Sequence, residues 1–323
     1  MESNSCSIVE SGISSGTATI SSSATGYTIP NSSTITVYNI QYLAVGESGT
    51  ILISYDGINW LSESSGTTNQ LNSVGYLTPW GKFFATGRNG TILTSIDGVN
   101  WVDENSNVSN SLYDFAYDPT LDKMFIAGES GIILTSIDGV NWESQLATST
   151  ATNLYSTTYH NGQFITVGTR NTILASNNGS TWTQVQSPYA SAYYSSVQYQ
   201  QNKFITVGTG GSIATSSNGS TFESQVSGTT NDLHDVIYGN SQSIVVATNG
   251  LILSSPDMVT WNQESSGVST SLNSITYNNT FNKFIAVGHN GTILSSSNGS
   301  NWVPVNSGVS IGLYSITSPV GFR

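Results

Sequence analysis

Apolar positions along the chain fall in short runs of four to six residues, set apart by Gly, Asn, Asp and Ser. Runs such as KFFATG, TILTS and LNSVGY are rich in Val, Ile, Thr and aromatic residues, the composition of strands bounded by turns. No window sustains a 3.6-residue apolar period, so no amphipathic helix is predicted. The expected protein is nearly all β.

The runs keep a steady beat. Segments such as GRNGTILTSIDGVNW and GHNGTILSSSNGSNW close on Trp60, Trp101, Trp142, Trp182, Phe222, Trp261 and Trp302, at spacings of 41, 41, 40, 40, 39 and 41 residues. Self-similarity at a fixed period near 40 residues marks a repeat architecture. Each copy predicts four strands: A (Leu-x-x-apolar-x-Tyr), B (Lys-Phe-x-x-Val-Gly), C (Thr-Ile-Leu-x-Ser) and D (from the aromatic onward). One such sheet cannot bury both of its faces alone. Seven copies therefore predict an all-β, seven-bladed β-propeller of four-stranded antiparallel blades. An open β-solenoid is the alternative, but its coils are normally shorter and it needs terminal caps.

The two ends of the repeat complement each other. Leu313–Ser318 supplies a strand A with no B, C or D after it, and Tyr42–Gly46 opens the series as a strand B. The C-terminal strand is expected to complete the N-terminal blade, which also hides the sheet edges of an open array. Ser33–Tyr38 (STITVY) is a competing strand A. The expected division is residues 1–38 as an N-terminal arm, extra strand or attachment region, and 39–323 as the propeller.

The Ser-x-Asp-Gly-x-x-Trp turn between C and D uses Asp56, Asp97, Asp138, Asn178, Asn218, Asp257 and Asn298. Asp or Asn accepts backbone N–H groups inside the turn and Gly supplies the positive φ. Because Asn replaces Asp, the acceptor matters and the charge does not, so these are structural positions. Met258 stands where the other turns have Gly, and predicts a locally different sixth turn. The closing aromatics are expected to fill the wedge between blades.

Charge narrows the partners. The 323 residues carry 7 Lys plus Arg against 19 Asp plus Glu, a net charge of -12. So few cations cannot neutralise a phosphate backbone or follow an anionic membrane, which argues against nucleic acid and lipid partners. No apolar run reaches the length of a transmembrane helix, and MESNSCSIVE does not read as a signal peptide. One cysteine, Cys6, excludes an internal disulfide framework. No cofactor or metal is expected. The recurring Gly-x-x-Gly turn between B and C lacks the Lys-Ser/Thr ending and helix of a phosphate loop, and His160, His234 and His289 fall in three different blades. Fourteen acids lie at or before Glu143 and five after it, so one side of the ring is expected to be more negative.

Variable positions within a constant frame are the candidates for chemistry. The residue after the B-strand Gly includes Glu47, Arg88, Glu129 and His289, and the next includes Arg170. The residue one beyond the A-strand Leu reads Asn72, Tyr113, Tyr155, Ser195, His234, Asn273 and Tyr314, and the residue two beyond includes Asp114 and Asp235. One of the two sets is expected at the mouth of the central channel, on the face shared by D–A and B–C loops. The candidate ligand or partner set is Glu47, Arg88, Tyr113, Glu129, Tyr155, Arg170, His234, His289 and Tyr314. Tyr and Asn there suit stacking on, and hydrogen bonding to, a sugar or a peptide. Asp114 and Asp235 are the one candidate carboxylate pair for glycoside hydrolysis.

The Ser-x-Asp-Gly-x-x-Trp hairpin resembles the Asp-box, or BNR repeat, of sialidases and related propellers. The longer unit, Val-Gly-x-x-Gly-x-Ile-x-x-Ser-x-Asp-Gly-x-x-Trp, is similar to repeats of the photosystem II assembly and stability factor type, over roughly residues 42 to 318. The sialidase resemblance implies an arginine triad, a Tyr–Glu pair and an acid. This chain's arginines are Arg88, Arg170 and Arg323, the first two in separate blades, so the clamp is not recognisable. The assembly-factor resemblance implies a basic patch, which this composition lacks. The expected function is a non-enzymatic recognition or structural module presenting one propeller face to a protein or glycan. A phage or virus particle, or another larger surface assembly, is the expected setting, outside the cell. The alternatives are a glycoside hydrolase or lyase with acids at the channel mouth, and an assembly chaperone for a membrane complex.

Overall fold

The computed structural model describes residues 16–20, 33–37, 39–147 and 152–319; Cys6 and Arg323 lie outside them. Seven four-stranded antiparallel sheets, each in the order A-B-C-D, make up the described propeller. Blade 1 is strands Tyr42–Gly46, Ile51–Ser54 and Trp60–Glu63 joined by Leu313–Thr317. Blades 2 to 7 run consecutively over 71–104, 112–146, 154–184, 194–225, 233–264 and 272–305. Among the described residues no helix is long and apolar enough to cross a membrane.

Closure occurs where the sequence places it. Leu313 pairs with Gly46 and Thr317 with Leu43, in antiparallel register. Gly46 is required by close approach: a Cβ there would lie 2.1 Å from the carbonyl oxygen of Gly312. Ser33–Val37, the competing strand A, pairs instead with Gly16–Ile20 in a separate two-stranded sheet. The strand-A role for Ser33–Tyr38 is thereby corrected: the edge it would occupy is already hydrogen-bonded to Leu313–Thr317.

Strands B and C are buried on both faces, and their period of two sorts side chains into neighbouring cores. In blade 2, Phe83, Ala85 and Leu93 pack against Leu43 and Ile53 of blade 1. Phe84 and Ile92 pack against Met124 and Leu134 of blade 3. One such cluster fills every interblade wedge. The closing aromatics sit there as expected: Trp142, Phe222 and Trp302 are buried, and Trp60, Trp101, Trp182 and Trp261 are half-buried. The indoles of Trp101, Trp182 and Trp302 donate to the carbonyls of Gly98, Gly179 and Gly299 and so brace the turns.

The C–D turn is one device repeated. In blade 1, Asp56 Oδ1 accepts from the N–H groups of Ile58 and Asn59, both at 2.8 Å, while Ser54 Oγ accepts from Gly57 N at 2.9 Å. Met258 keeps most of it. Met258 adopts φ 61°, the left-handed conformation of its glycine counterparts, and Asp257 still accepts from Val259 and Thr260. The expected local departure is one bond: the six other turns donate their glycine N–H to the Ser Oγ, as Gly57 does to Ser54, and no such bond joins Met258 N to Ser255 Oγ among the described residues. The left-handed residue costs about 1 kcal/mol, and burial of the thioether side chain in the blade 5–6 core offsets it.

A–B turns meet the C–D turns of the next blade on one face. Lys283 Nζ donates to the Asp56 carbonyl, and Gln242 Nε2 to that of Asn298. The chain enters the propeller on this face, where Asn278 Nδ2 donates to Gln41 Oε1. On the other face B–C turns meet D–A loops, as Glu47 N donates to Gly312 O and Arg88 N to Gln70 O.

Two outcomes follow for stability. Ending the chain before Leu313 strips strand A from blade 1; chemical denaturation should then lose its single sharp transition and begin at lower denaturant. Acid should also weaken the ring. Desolvation acts to raise the Asp56 pKa, but the amides of Asn59 and Ile58 outweigh it and hold it at about 2; Asp97, Asp138 and Asp257 are lowered likewise. A carboxylate with a depressed folded pKa stabilises above its unfolded pKa and loses that contribution as pH falls toward the folded one, here between about pH 4 and pH 2. Melting temperature by circular dichroism should drop across that window, and drop less in the Asp56→Asn/Asp97→Asn/Asp138→Asn variant.

Candidate functional site

The channel mouth is built by a repeated irregularity. In blade 3, Leu112 pairs with Gly128 and Asp114 with Ala127, leaving Tyr113 as an extra residue. The same bulge follows the first A-strand residue in blades 2 and 4 to 7, and blade 1 shows it at Tyr314. A bulge releases one residue from strict alternation. Both sequence sets therefore reach the channel: the residues one beyond line the mouth, and the residues two beyond line the channel below it.

The lower set forms a closed hydrogen-bond circuit. Val74 N donates to Ser315 Oγ, Thr157 N to Asp114 Oδ2, Val197 N to Ser156 Oγ, Ile275 N to Asp235 Oδ2 and Ile316 N to Ser274 Oγ, at 3.0–3.3 Å. The two remaining junctions are bridged by Ser73 Oγ donating to Asp114 Oδ1 and Ser196 Oγ to Asp235 Oδ1. Asp235 accepts from the Ser196 and Ser274 hydroxyls and from the Val236 and Ile275 amides. Asp114 accepts from Ser73, Ser156 and Thr157. The carboxylate pair proposed for glycoside hydrolysis is thus committed to joining blades: its oxygens hold donors already and are poorly placed to move a proton for a substrate.

Above this floor lies an open cavity of about 530 Å³, bordered by Tyr113, Tyr155, Tyr314, His234, His289 and Asn72 among others. Some of these side chains also latch blades. Asn72 Nδ2 donates to Leu112 O, Asn273 Nδ2 to Leu313 O, and His234 Nδ1 lies 2.8 Å from Leu272 O. A carbonyl only accepts, so His234 carries its proton on Nδ1 and leaves Nε2 as an acceptor. Burial pushes the imidazole pKa down, which favours that neutral form. Tyr113 and Tyr155 form an edge-to-face pair with centroids 5.0 Å apart, and Tyr155 makes no hydrogen bond among the described residues.

The other candidates divide by role. Tyr314 donates to Glu47 Oε1 at 2.9 Å and meets His289 edge-on at 6.1 Å. That hydroxyl, with the Gly312 amide, holds the Glu47 carboxyl below its ordinary range. Glu129 Oε2 accepts from Ser111 N at 3.0 Å. Both acids therefore cap D–A loops, although their carboxylates stay at the rim. Arg88 and Arg170 are exposed and their guanidinium groups make no hydrogen bond among the described residues. Arg170 occupies the left-handed position of its turn at φ 56° and, with Glu47, Arg88 and Glu129, lies outside the residues bordering the cavity. His160 belongs elsewhere, stacked on Tyr199 at 3.3 Å. Thr248, at the same ring position as Glu47 and His289 but left out of the candidate set, also borders the cavity; sequence reasoning missed Ser271 there, because nothing in its residue type distinguishes it from other loop hydroxyls. No group of three or more His, Cys, Asp or Glu able to hold a metal occurs among the described residues.

No protein-family model matches the chain, and no curated protein matches its sequence. Solved structures match its fold. A structure of YCF48 bound to D1 peptide aligns with a TM-score of 0.65 at 16% identity, over 80% of this chain and 88% of that one. YCF48 from Cyanidioschyzon merolae aligns at 0.61 and 14%, over 76% and 87%. The WD40 propeller domain of Doa1 aligns at 0.60 and 16%, over 84% and 90%. These likenesses establish the propeller architecture.

The circuit makes a measurable prediction. Asp235→Ala strips the acceptor from four donors, and should lower unfolding free energy by about 3 kcal/mol in urea titrations. Asp235→Asn, which keeps one acceptor oxygen, should lose less.

Proposed function

We propose that this chain is a non-enzymatic recognition module that holds a segment of a partner protein in the mouth of its channel. One observation carries the reading: a concavity of about 530 Å³ is walled by three tyrosines while the carboxylates beneath it are tied into the frame. Aromatic side chains supply large contact area at low entropic cost, and anchor residues of this kind dominate protein interfaces. The edge-to-face Tyr113–Tyr155 pair offers a cleft for a side chain more than a flat platform for a sugar ring. A propeller of the same fold recorded with a bound peptide supports the choice of a protein partner. The same reading takes the C–D turns as Asp-boxes, and sets the module in an extracellular or virion-surface assembly, in keeping with its Ser-, Thr- and Asn-rich exterior.

The test sets the intact protein against a random peptide array and a glycan array. Saturable peptide binding is expected, weakened by about 2 kcal/mol, roughly 30-fold, in Tyr113→Ala/Tyr155→Ala. Glycan binding without peptide binding, or peptide binding indifferent to both tyrosines, would overturn the proposal.

A further inference from the structure

The C–D turns on the opposite face fall into two kinds. Turns of blades 1, 2, 3 and 6 join Asp to an exposed apolar neighbour, two after it at Ile58 and Val259 and one before it at Ile96 and Ile137, which are 58%, 54%, 65% and 67% exposed; the position one before is Asn177, Ser217 and Ser297 in blades 4, 5 and 7. Turns of blades 4, 5 and 7 join Asn to Ser180, Ser220 and Ser300 at the position of Ile58. The fold does not require the difference. Asp97 Oδ1 accepts from Val99 and Asn100 amides at 2.9 and 2.8 Å; Asn178 Oδ1 accepts from Ser180 and Thr181 at 2.9 and 2.8 Å. Either residue closes the turn, and neither needs an apolar companion. Charge and apolar surface are nevertheless displayed together on three consecutive blades, where isolated exposed apolar residues would call for no explanation.

The occupant follows from charge. Residues 39–147 carry 12 acids against 3 Lys or Arg, whereas 152–323 carry 5 against 4. A second copy would bring the same acidic arc, on a chain of net charge -12. The first 38 residues hold Glu2 and Glu10 but no Lys or Arg. Neither complements the surface. Lys82, Lys123, Lys203 and Lys283 flank A–B turns on this face; Lys283 reaches the Asp56 carbonyl and Lys123 lies over the Phe125 ring, and among the described residues no lysine makes an ion pair or hydrogen bond with the carboxylates of Asp56, Asp97 or Asp138.

We propose that the C–D face of blades 1 to 3 is a second docking surface, for a basic segment of a partner protein that carries apolar side chains. Asp56, Asp97 and Asp138 meet its cations, and Ile58, Ile96 and Ile137 meet its apolar side. This surface is independent of the channel mouth.

The probe is a synthetic amphipathic peptide of alternating Leu and Lys clusters, with a Leu/Glu peptide of the same pattern as its control, read by fluorescence anisotropy on the intact protein. The Leu/Lys peptide should bind and the Leu/Glu peptide should not. Asp56→Asn/Asp97→Asn/Asp138→Asn and Ile58→Ser/Ile96→Ser/Ile137→Ser, which copy the turns of blades 5 and 7 at these positions, should each weaken binding by about tenfold or more. The rim variant Glu63→Gln/Glu143→Gln/Glu223→Gln removes the same number of charges and should change it less than about twofold. Equal loss in the rim variant, binding of the Leu/Glu peptide, or no loss in the two turn variants would overturn the proposal. Loss confined to Tyr113→Ala/Tyr155→Ala would also overturn it, and would assign the peptide to the mouth instead.

Discussion

Seven twisted sheets share one axis only if each inner strand is tied to the next without a gap. Here that tie is a circuit of serine hydroxyls, two aspartates and backbone amides just below the channel mouth. Buried polar groups are favourable only when every member has its partner, and a ring has no end at which one could be left over. The circuit also depends on strand pairing far away in sequence. Ser315 can receive Val74 N only because Leu313–Thr317 has completed blade 1. Closure of the sheet and closure of the circuit are one event.

The circuit explains why acids near the axis do not read as catalysts. Asp114 and Asp235 hold blades together, Glu47 and Glu129 cap loops, and the turn aspartates organise hairpins. Much of the acidic charge around the channel and turns is thus structural in its hydrogen bonding while remaining electrostatically present. What the mouth leaves uncommitted is aromatic surface and exposed guanidinium groups nearby, a set suited to holding a ligand and poorly suited to breaking a bond.

The architecture was legible because it repeats. Seven aromatics at a spacing of 39 to 41 residues, with a lone strand A at one end of the series and a blade lacking strand A at the other, were enough to predict the blade count and the closing pair. The site was legible only in outline. Consecutive residues on a strand should face opposite ways, so Tyr113 and Asp114 could not both be assigned to the channel until the bulge between Leu112 and Asp114 was seen. Met258 signals a local difference that is smaller than its residue type suggests: a buried pocket for its side chain sustains the positive φ, and the turn departs from the others by one hydrogen bond. The link between Asp and its apolar neighbours in the C–D turns was present in the sequence throughout, but its meaning needed the exposure of Ile58, Ile96 and Ile137 to separate display from packing.

The chain enters strand B of blade 1 on the face of the A–B and C–D turns, beside Asn278, while the tyrosine-lined cavity opens on the opposite side. Polarity is therefore built into the disc. An anchor acting through the N-terminal residues would stand behind it like a pedestal, so the cavity would look outward into solvent, and no rotation about the ring axis would turn it toward the anchor.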